Sequence, residues 1–300
     1  MSAHNFTVGA KQNKVQTPLT MEEVARRAPS ALALRPYAAM SAKYTYVPTI
    51  NIIEGMIKAG FQPFAASQSL TRIADKKAFT KHMLRFRHAD MGALVVGDVV
   101  PEVVVINSHD GACAFRLIAG LYRLVCSNGL MVSDAEIESI SVRHTGNILQ
   151  AVVDGSYTIV GNAAKALGTV KQWRQLQLTD GERHAFATSA HILRFADAEG
   201  KTTTPITPDQ LLVPRRYDDQ GKDLWTTFNV LQENALKGGL SGIQRDAEGR
   251  RVRSVSTRQI RGIDGNVQLN RSLWTLAERL AELKGKDVPF SEAEVVEAAA

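Results

Sequence analysis

The sequence predicts an α+β protein in which an antiparallel β-sheet is backed by long helices and followed by a helical carboxy-terminal portion. Between residues 64 and 145, short segments rich in Val, Ile, Phe and Tyr alternate with Gly, Asn and Asp, which is typical of an antiparallel meander. From residue 148 onward, apolar residues recur at roughly helical spacing. No apolar run reaches the ~18–20 residues that a membrane-spanning helix requires, so no membrane partner is expected.

Changes in composition and turn-forming residues divide the chain into five predicted segments. These are a polar amino-terminal tail (1–20), an α+β core domain (21–196), a polar loop (197–210), a helical portion with a basic arm (211–285) and an acidic tail (286–300).

Two short helices precede the predicted sheet. Thr20 and Glu23 stand three residues apart and form the pattern of a capping box, so a helix is expected to begin near residue 21. In the segment "PTINIIEGMIKAGF", Thr49 is predicted as the N-cap and Gly60 as the stop signal of a second helix.

The predicted strands cover residues 64–70, 78–90, 101–107, 112–126 and 139–145. Between the third and fourth strands, Ser108, His109 and Asp110 are adjacent and have the side chains of a hydrolytic triad. Consecutive side chains diverge, whereas a triad needs convergence, so we interpret this segment as a turn with Gly111 at positive φ. His109 and Asp110 remain weak candidates for catalysis.

The second half of the chain is predicted to be mainly helical. Helices are expected within residues 148–178, 179–196, 223–239 and 269–285, and the segment 241–258 is expected to be a mobile arm or a hairpin. Trp225, Phe228 and Leu231 follow helical spacing and indicate a buried stripe. Arg216 is expected to pair with neighbouring aspartates. Asp223 and Glu233 are interpreted as packing and salt-bridge residues more readily than as the acid pair of a nuclease-like site.

The charge is positive and unevenly distributed. The net charge is +6, residues 70–90 contain six basic residues against two acids, and residues 245–271 contain seven arginines against three acids. Such clustering is typical of proteins that contact a polyanion, although a basic surface with no partner is an equally common reading.

Strand alternation predicts one mostly basic sheet face, and its guanidinium groups are suited to holding phosphates. Phe79, Phe86, Phe115 and Tyr122 would offer stacking surfaces for unpaired bases. The predicted nucleic-acid-binding residues are Lys81, Arg85, Arg87, Arg116 and Arg123 on the sheet, and Arg250, Arg251, Arg253 and Arg258 on the arm.

The sequence predicts no metal and no cofactor. His82 and His88 share one strand and could join His109, Asp110 and His144 only if three strands converge, so they are weak metal candidates. Neither a zinc-protease motif nor a Cys-x-x-Cys pair is present, and there is no phosphate-binding glycine loop. The two cysteines, Cys113 and Cys126, lie in apolar surroundings and favour a reducing cytoplasm.

Several long segments resemble a known family. They are "KHMLRFRH", "PEVVVINSHDGACAFRLIAGLYRLVCSNGL", "LLVPRRYDDQGKDLWTTFNVLQEN" and "LNRSLWTLAERLA". Together they resemble the phage- and plasmid-associated family called domain of unknown function 932, over roughly residues 20–285. The resemblance implies a bacterial cytoplasm and a mobile-element genome, and it implies no catalytic residue.

The leading functional hypothesis is a non-enzymatic protein that binds single-stranded DNA as an annealing or recombination mediator. A strand block followed by a long helix is loosely similar to annealing proteins of the RecT and Redβ type. Because those proteins work as rings or filaments, this similarity is compatible with a homo-oligomer. One alternative is a metal-dependent hydrolase or nuclease that uses His82, His109, Asp110 and His144. Another is a mobile-element regulator that binds a host protein through the acidic tail or the 241–258 arm.

Overall fold

The structure, a computed structural model, describes residues 17–41, 44, 46–89, 99–123, 128–131, 140–141 and 148–286. It confirms the α+β class. The helices are α1 (Met21–Arg27), α2 (Thr49–Lys58), α3 (Ile148–Gln175), α4 (Asp180–Phe195), α5 (Pro208–Leu211), α6 (Leu224–Lys237) and α7 (Ile263–Lys286). The strands are β1 (Phe61–Gln68), β2 (His82–His88), β3 (Val99–Asn107), β4 (Arg116–Arg123), β5 (Asn128–Met131), β6 (Ile140–Ser141), β7 (Ser241–Arg245) and β8 (Arg251–Ser256).

The main sheet is an antiparallel meander with the strand order β1-β2-β3-β4-β5, and β6 also pairs with β4. His82 of β2 lies opposite Asn107 of β3, and Val105 of β3 lies opposite Leu117 of β4. Of the predicted strand 139–145, the structure describes only residues 140 and 141, which form β6. Sequential pairing places the start of β2 beside the end of β3, where the candidate site lies.

Both faces of the sheet are covered. On one face, Leu84, Val103 and Leu117 belong to the main hydrophobic core, and α3 packs against β3 and β4. On the opposite face, Val104, Ile106 and Ile118 form a smaller cluster with Ile263 and Val267 from the first turns of α7. Because α7 packs on this second face, the described part of the sheet is not an open platform.

The helix caps show where local sequence was sufficient. The capping box is present at α1, where the Glu23 amide donates to Thr20 Oγ1 at 3.2 Å. Gly60 follows α2 with φ +86°, as its predicted role as a stop signal requires. The prediction that Thr49 caps α2 is wrong: Pro48 is the N-cap and Thr49 is the first helical residue. The Thr49 hydroxyl contacts buried side chains of the sheet instead, as described below.

An aromatic cluster joins three helices of the second half. Trp173 of α3 and Trp274 of α7 have ring centroids 4.6 Å apart, and Trp225 stacks on Phe228 within α6 at 5.8 Å. Trp225, Phe228 and Leu231 are all buried, which confirms the predicted stripe. Residues before and after the loop 197–210 thus share one hydrophobic core.

Candidate functional site

Three of the predicted phosphate-binding arginines are buried in ion pairs. Arg85 and Arg87 of β2 both bind the carboxylate of Glu102 on β3, with Arg87 Nε 2.8 Å from Glu102 Oε1. The Arg87 guanidinium also lies 4.2 Å from the ring centroid of Phe64 and 4.3 Å from that of Tyr122. The expectation of an exposed basic face therefore needs correction at Arg85 and Arg87, because Glu102 supplies a buried countercharge.

A second buried network connects the sheet to α6. Arg123 at the end of β4 lies 2.7 Å from Asp219 Oδ1. Arg216 bridges Asp219 and Glu233, and Lys237 Nζ lies 2.7 Å from the same Glu233 carboxylate. Arg123 is thus also buried rather than exposed, and Glu233 serves in an ion pair. Asp223, the other acid considered for a nuclease-like pair, caps α6 by accepting from the Thr226 amide at 2.9 Å.

Lys81 and Arg116 are brought together at the start of α7. Lys81 Nζ lies 2.6 Å from Asp264 Oδ2, and Arg116 Nη2 lies 3.8 Å from Asp264 Oδ1. The side chain of Asp264 is 66% exposed, so this cluster is close to solvent. These two predicted residues therefore lie close together, and the Asp264 carboxylate offsets part of their positive charge.

The arm is a two-stranded ribbon, β7 paired with β8, that ends in a tight turn with Gly249 at φ +79°. Arg250 pairs with Asp246 and Glu248 inside that turn. Arg251 donates to Ser254 Oγ at 2.7 Å, and Arg253 donates to Gln244 Oε1 at 2.7 Å, so both have neutral partners. Among the ion pairs of the described residues, none involves Arg251, Arg253 or Arg258.

The base of the arm is held by the body of the protein. The Gly239 amide donates to the Thr257 carbonyl at 2.9 Å, and Arg194 Nη2 donates to the Arg258 carbonyl at 2.9 Å. Beyond this base, Val252 is 59% exposed. The base of the ribbon is therefore fixed by hydrogen bonds, while its arginines are exposed to solvent.

The turn at residues 107–111 is closed by its own side chains. Ser108 Oγ accepts from the Cys113 amide at 3.0 Å, and Asp110 Oδ1 accepts from the Ala112 amide at 3.1 Å. Gly111 has φ +73°, as predicted. Ser108 and Asp110 therefore stabilise the turn, and the His109 imidazole has no hydrogen bond to either side chain in the described structure.

His109 points inward rather than standing at the tip of the turn. It is fully buried, and its ring centroid lies 5.0 Å from that of His82. Thr49 Oγ1 lies 2.8 Å from His82 Nε2 and 3.3 Å from His109 Nε2, and it accepts from Asn107 Nδ2 at 2.9 Å. The Thr49 hydroxyl, at the start of α2, thus contacts side chains from β2, from the end of β3 and from the 107–111 turn.

Both histidines of this pair are neutral at pH 7. Burial, together with the nearby His109, lowers the pKa of His82 from 6.5 to about 3. Burial lowers the pKa of His109 from 6.5 to about 4, against a weaker opposing effect of the Asp110 charge. Two neutral imidazoles with a shared hydroxyl can relay a proton, but within the described structure no carboxylate orients them as in a triad.

Of the weak metal candidates that the structure describes, His88 lies apart from His82 and His109. His88 is six residues from His82 on β2, which corresponds to about 20 Å of strand. It contacts the Ala59 carbonyl at 3.2 Å and packs against both Phe61 and Tyr157, which also contact each other. His144 lies outside the described residues. Within the described ranges, no group of three or more His, Cys, Asp or Glu residues is arranged to hold a metal ion.

A cavity of about 660 Å³ lies beside the 107–111 turn. Its lining includes Arg35, Tyr37, Tyr44, Asp75 and Phe79. Tyr44 Oη donates to the Ser108 carbonyl at 2.9 Å, which attaches the cavity wall to the turn. No sequence pattern predicts this cavity, although "PYAAMSAKYTY" places three tyrosines within a short segment that has no helical or strand pattern.

Comparisons with known proteins place this sequence in a family. The sequence matches the family described as domain of unknown function (DUF932) over residues 36–274. The chain belongs to the DUF932 family. It is 40% identical over 263 residues to UPF0380 protein YafZ of Escherichia coli (strain K12), which covers 88% of this chain and 92% of that relative. UPF0380 protein YfjQ of the same strain matches with the same identity and coverage. No solved structure matches.

The DUF932 match includes the structural features described above. Residues 36–274 contain the sheet, the His82–His109 pair, most of the cavity lining and the whole arm. The resemblance inferred from the four sequence segments is thereby confirmed. Among the described helices of this DUF932 chain, none combines the length and apolar character needed to cross a membrane.

Proposed function

We propose that this DUF932 chain binds nucleic acid and that the 241–258 arm makes the principal contact. The supporting observation is an exposed ribbon with Arg251 and Arg253 on β8 and Arg258 just after it, and none of the three takes part in an ion pair among the described residues. Guanidinium groups bind phosphate oxygens in a bidentate manner. A two-stranded β-ribbon also has the width that the major groove of a DNA duplex admits.

The sheet arginines are less suitable for phosphate contact. Arg85 and Arg87 already bind Glu102 in the protein interior. A phosphate would have to displace that carboxylate and lose its own hydration, which is unfavourable in a buried position. Arg116, whose side chain is 31% exposed, lies nearer to solvent and can support binding where the exposed Asp264, which also binds Lys81, leaves part of its charge uncompensated.

The kind of nucleic acid follows from the chemistry of the arm. Sequence-independent binding of single strands usually relies on aromatic side chains that stack on bases. The arm has no Phe, Tyr or Trp, so it favours phosphate and groove contacts of duplex DNA over base stacking. Binding of single-stranded DNA as an annealing or recombination mediator, in the cytoplasm of a bacterium that carries a mobile element, is then the alternative form of the proposal, and a comparison of single-stranded with duplex oligonucleotides decides between the two.

Fluorescence anisotropy with labelled single-stranded and duplex oligonucleotides tests the proposal. The wild-type protein should bind at low salt, and its affinity should fall steeply with salt because bound cations are released from the phosphates. A variant with Arg251→Gln, Arg253→Gln and Arg258→Gln should bind more weakly, and its log–log salt slope should be smaller by roughly 2–3.

A charge-matched control separates the arm from the net charge. Arg26→Gln, Arg72→Gln and Arg279→Gln remove three exposed arginines elsewhere and should leave binding nearly unchanged. Equal weakening by both triple variants, or no binding by the wild type at low salt, would exclude the arm as the contact. Parallel titrations with EDTA test the hydrolase alternative, since a metal-dependent nuclease loses oligonucleotide cleavage when the metal is removed.

A further inference from the structure

The cavity beside the 107–111 turn has the size of a small-molecule site. Its volume of about 660 Å³ falls within the roughly 300–1,000 Å³ that is usual for ligand pockets. The described residues that line it include Arg35, Tyr37, Tyr44, Asp75 and Phe79. It is far in sequence from the arm, and the nucleic-acid proposal does not use it.

The wall of this cavity is attached to the protein core. The Tyr37 amide donates to the His109 carbonyl at 2.9 Å, and Tyr44 Oη donates to the Ser108 carbonyl at 2.9 Å. A Cβ atom on Gly111 would come within 3.1 Å of Met40 Sδ, so the wall packs closely against the turn. These contacts hold the described residues of the wall in place, which lowers the entropic cost of binding.

The lining combines three kinds of chemistry. Tyr37, Tyr44 and Phe79 supply aromatic surface, Arg35 supplies a guanidinium group and Asp75 supplies a carboxylate. Arg35 and Asp75 are exposed, and neither forms an ion pair among the described residues. Exposed opposite charges that are not paired with each other are available to a ligand. Lys76 Nζ lies 5.3 Å from the centroid of the Tyr37 ring and adds positive charge nearby.

These three chemistries point to a ligand with a planar ring, an anionic group and hydrogen-bond donors. We propose that the cavity binds a nucleoside monophosphate unit, with the base on an aromatic ring, the phosphate at Arg35 and donor groups of the sugar or base at Asp75. The rings of Tyr37 and Phe79 are 5.6 Å apart and already contact each other, so the base lies against one of them and not between them.

Isothermal titration calorimetry with adenosine monophosphate and with adenosine tests the assignment. Arg35→Gln should weaken binding of the monophosphate by about tenfold and leave adenosine binding unchanged, because only the phosphate contact is lost. Tyr37→Leu should weaken both ligands. Asp75→Asn should weaken both by a smaller factor, since an amide oxygen still accepts a hydrogen bond.

The matched controls are residues of the same types that are exposed and do not line the cavity. Arg72→Gln removes an exposed arginine, and Tyr217→Leu removes a tyrosine that is 83% exposed, so neither should change binding. Thermal unfolding of every variant verifies that it is folded. The proposal is overturned if millimolar adenosine monophosphate gives no binding heat to the wild type, or if Arg72→Gln weakens binding as much as Arg35→Gln.

The nucleotide unit can be free or part of a strand, and a short single-stranded oligonucleotide distinguishes the two. Arg35-dependent binding of the oligonucleotide with higher affinity than the monophosphate supports a strand unit, whereas preference for the monophosphate supports a free nucleotide. The triple arm variant should bind the monophosphate as the wild type does. The proposal for the cavity and the proposal for the arm can therefore be confirmed or rejected independently.

Discussion

The imidazole rings of His82 and His109 lie 5.0 Å apart, and both Nε2 atoms lie within 3.3 Å of the Thr49 hydroxyl oxygen. Pairing each hydrogen-bond donor with an acceptor shows which ring nitrogen of each histidine carries the proton. His82 Nδ1 lies 3.1 Å from the Thr80 carbonyl and must donate to it, so His82 Nε2 accepts from Thr49. The Thr49 oxygen then accepts from Asn107 and from His109 Nε2. Both rings are neutral in this arrangement, in agreement with their lowered pKa values.

The buried histidine pair predicts that the protein is destabilised by mild acid. Because the pKa of each ring is lower in the folded state than in the unfolded chain, the unfolded chain binds more protons below pH 6.5. The stability is therefore complete above about pH 6.5 and falls towards pH 4. Between pH 7 and pH 5, we expect a loss of about 2 kcal/mol in unfolding free energy for each histidine. Urea unfolding followed by tryptophan emission measures this loss, because Trp173, Trp225 and Trp274 are all buried.

His109→Gln is expected to reduce this pH dependence, since it removes one of the two titrating rings. Tyr217→Leu serves as the control, because it changes a side chain that is 83% exposed and removes no buried ring. An unfolding free energy that is equal at pH 7 and pH 5 would contradict the assignment of two buried neutral rings.

Thr49→Val is expected to destabilise the protein by about 1–3 kcal/mol, because it leaves buried donors and acceptors of His82, His109 and Asn107 without this partner. Valine has nearly the same shape, so the loss reflects hydrogen bonding rather than packing. Thr49→Ser keeps the hydroxyl and should retain most of the stability. Chemical denaturation of the two variants provides the comparison, and equal losses would show that the methyl group, not the hydroxyl, is important.

Glu102→Gln is expected to destabilise the protein by about 3–5 kcal/mol, since it removes the carboxylate that faces two buried guanidinium groups. Glu282→Gln is the matched change at a surface ion pair with Arg279, whose side chain is 71% exposed, and it should change stability by less than about 1 kcal/mol. Midpoints of urea denaturation compare the two. A loss at Glu102 as small as that at Glu282 would contradict a buried structural role.

Gly238 and Gly239 form a natural pair for testing the base of the arm. Both have positive φ, at +64° and +81°, so alanine at either position has a backbone cost of about 1–2 kcal/mol. A Cβ atom at Gly238 would also lie 2.7 Å from the Thr257 carbonyl oxygen, whereas one at Gly239 would meet nothing within 4 Å. We therefore expect Gly238→Ala to lower the thermal unfolding midpoint more than Gly239→Ala. The reverse order would contradict the close packing of the arm.

Local patterns were sufficient for much of the fold. The alternation of β-branched and aromatic residues with turn residues predicted β2, β3 and β4, and these strands pair in sequence order. Thr20 with Glu23, and Thr179 with Glu182, form the capping boxes of α1 and α4 as short-range hydrogen bonds require. Thr49 shows the limit, because a threonine before a helical pattern is an N-cap by local rules but here has a stronger partner in the sheet.

The sequence by itself determined the α+β class, the presence and type of most elements, the family and the basic character of the 241–258 arm, because each depends on neighbouring residues or on composition. Only the tertiary structure decided the state of the ionisable groups. Alternation places Arg85 and Arg87 on a common face, but the burial of that face and the position of Glu102 depend on how β2 pairs with β3. Likewise, His109 turns inward because His82 and Thr49, distant in sequence, meet it there. Burial and countercharge are properties of contacts between distant segments, which no local pattern encodes.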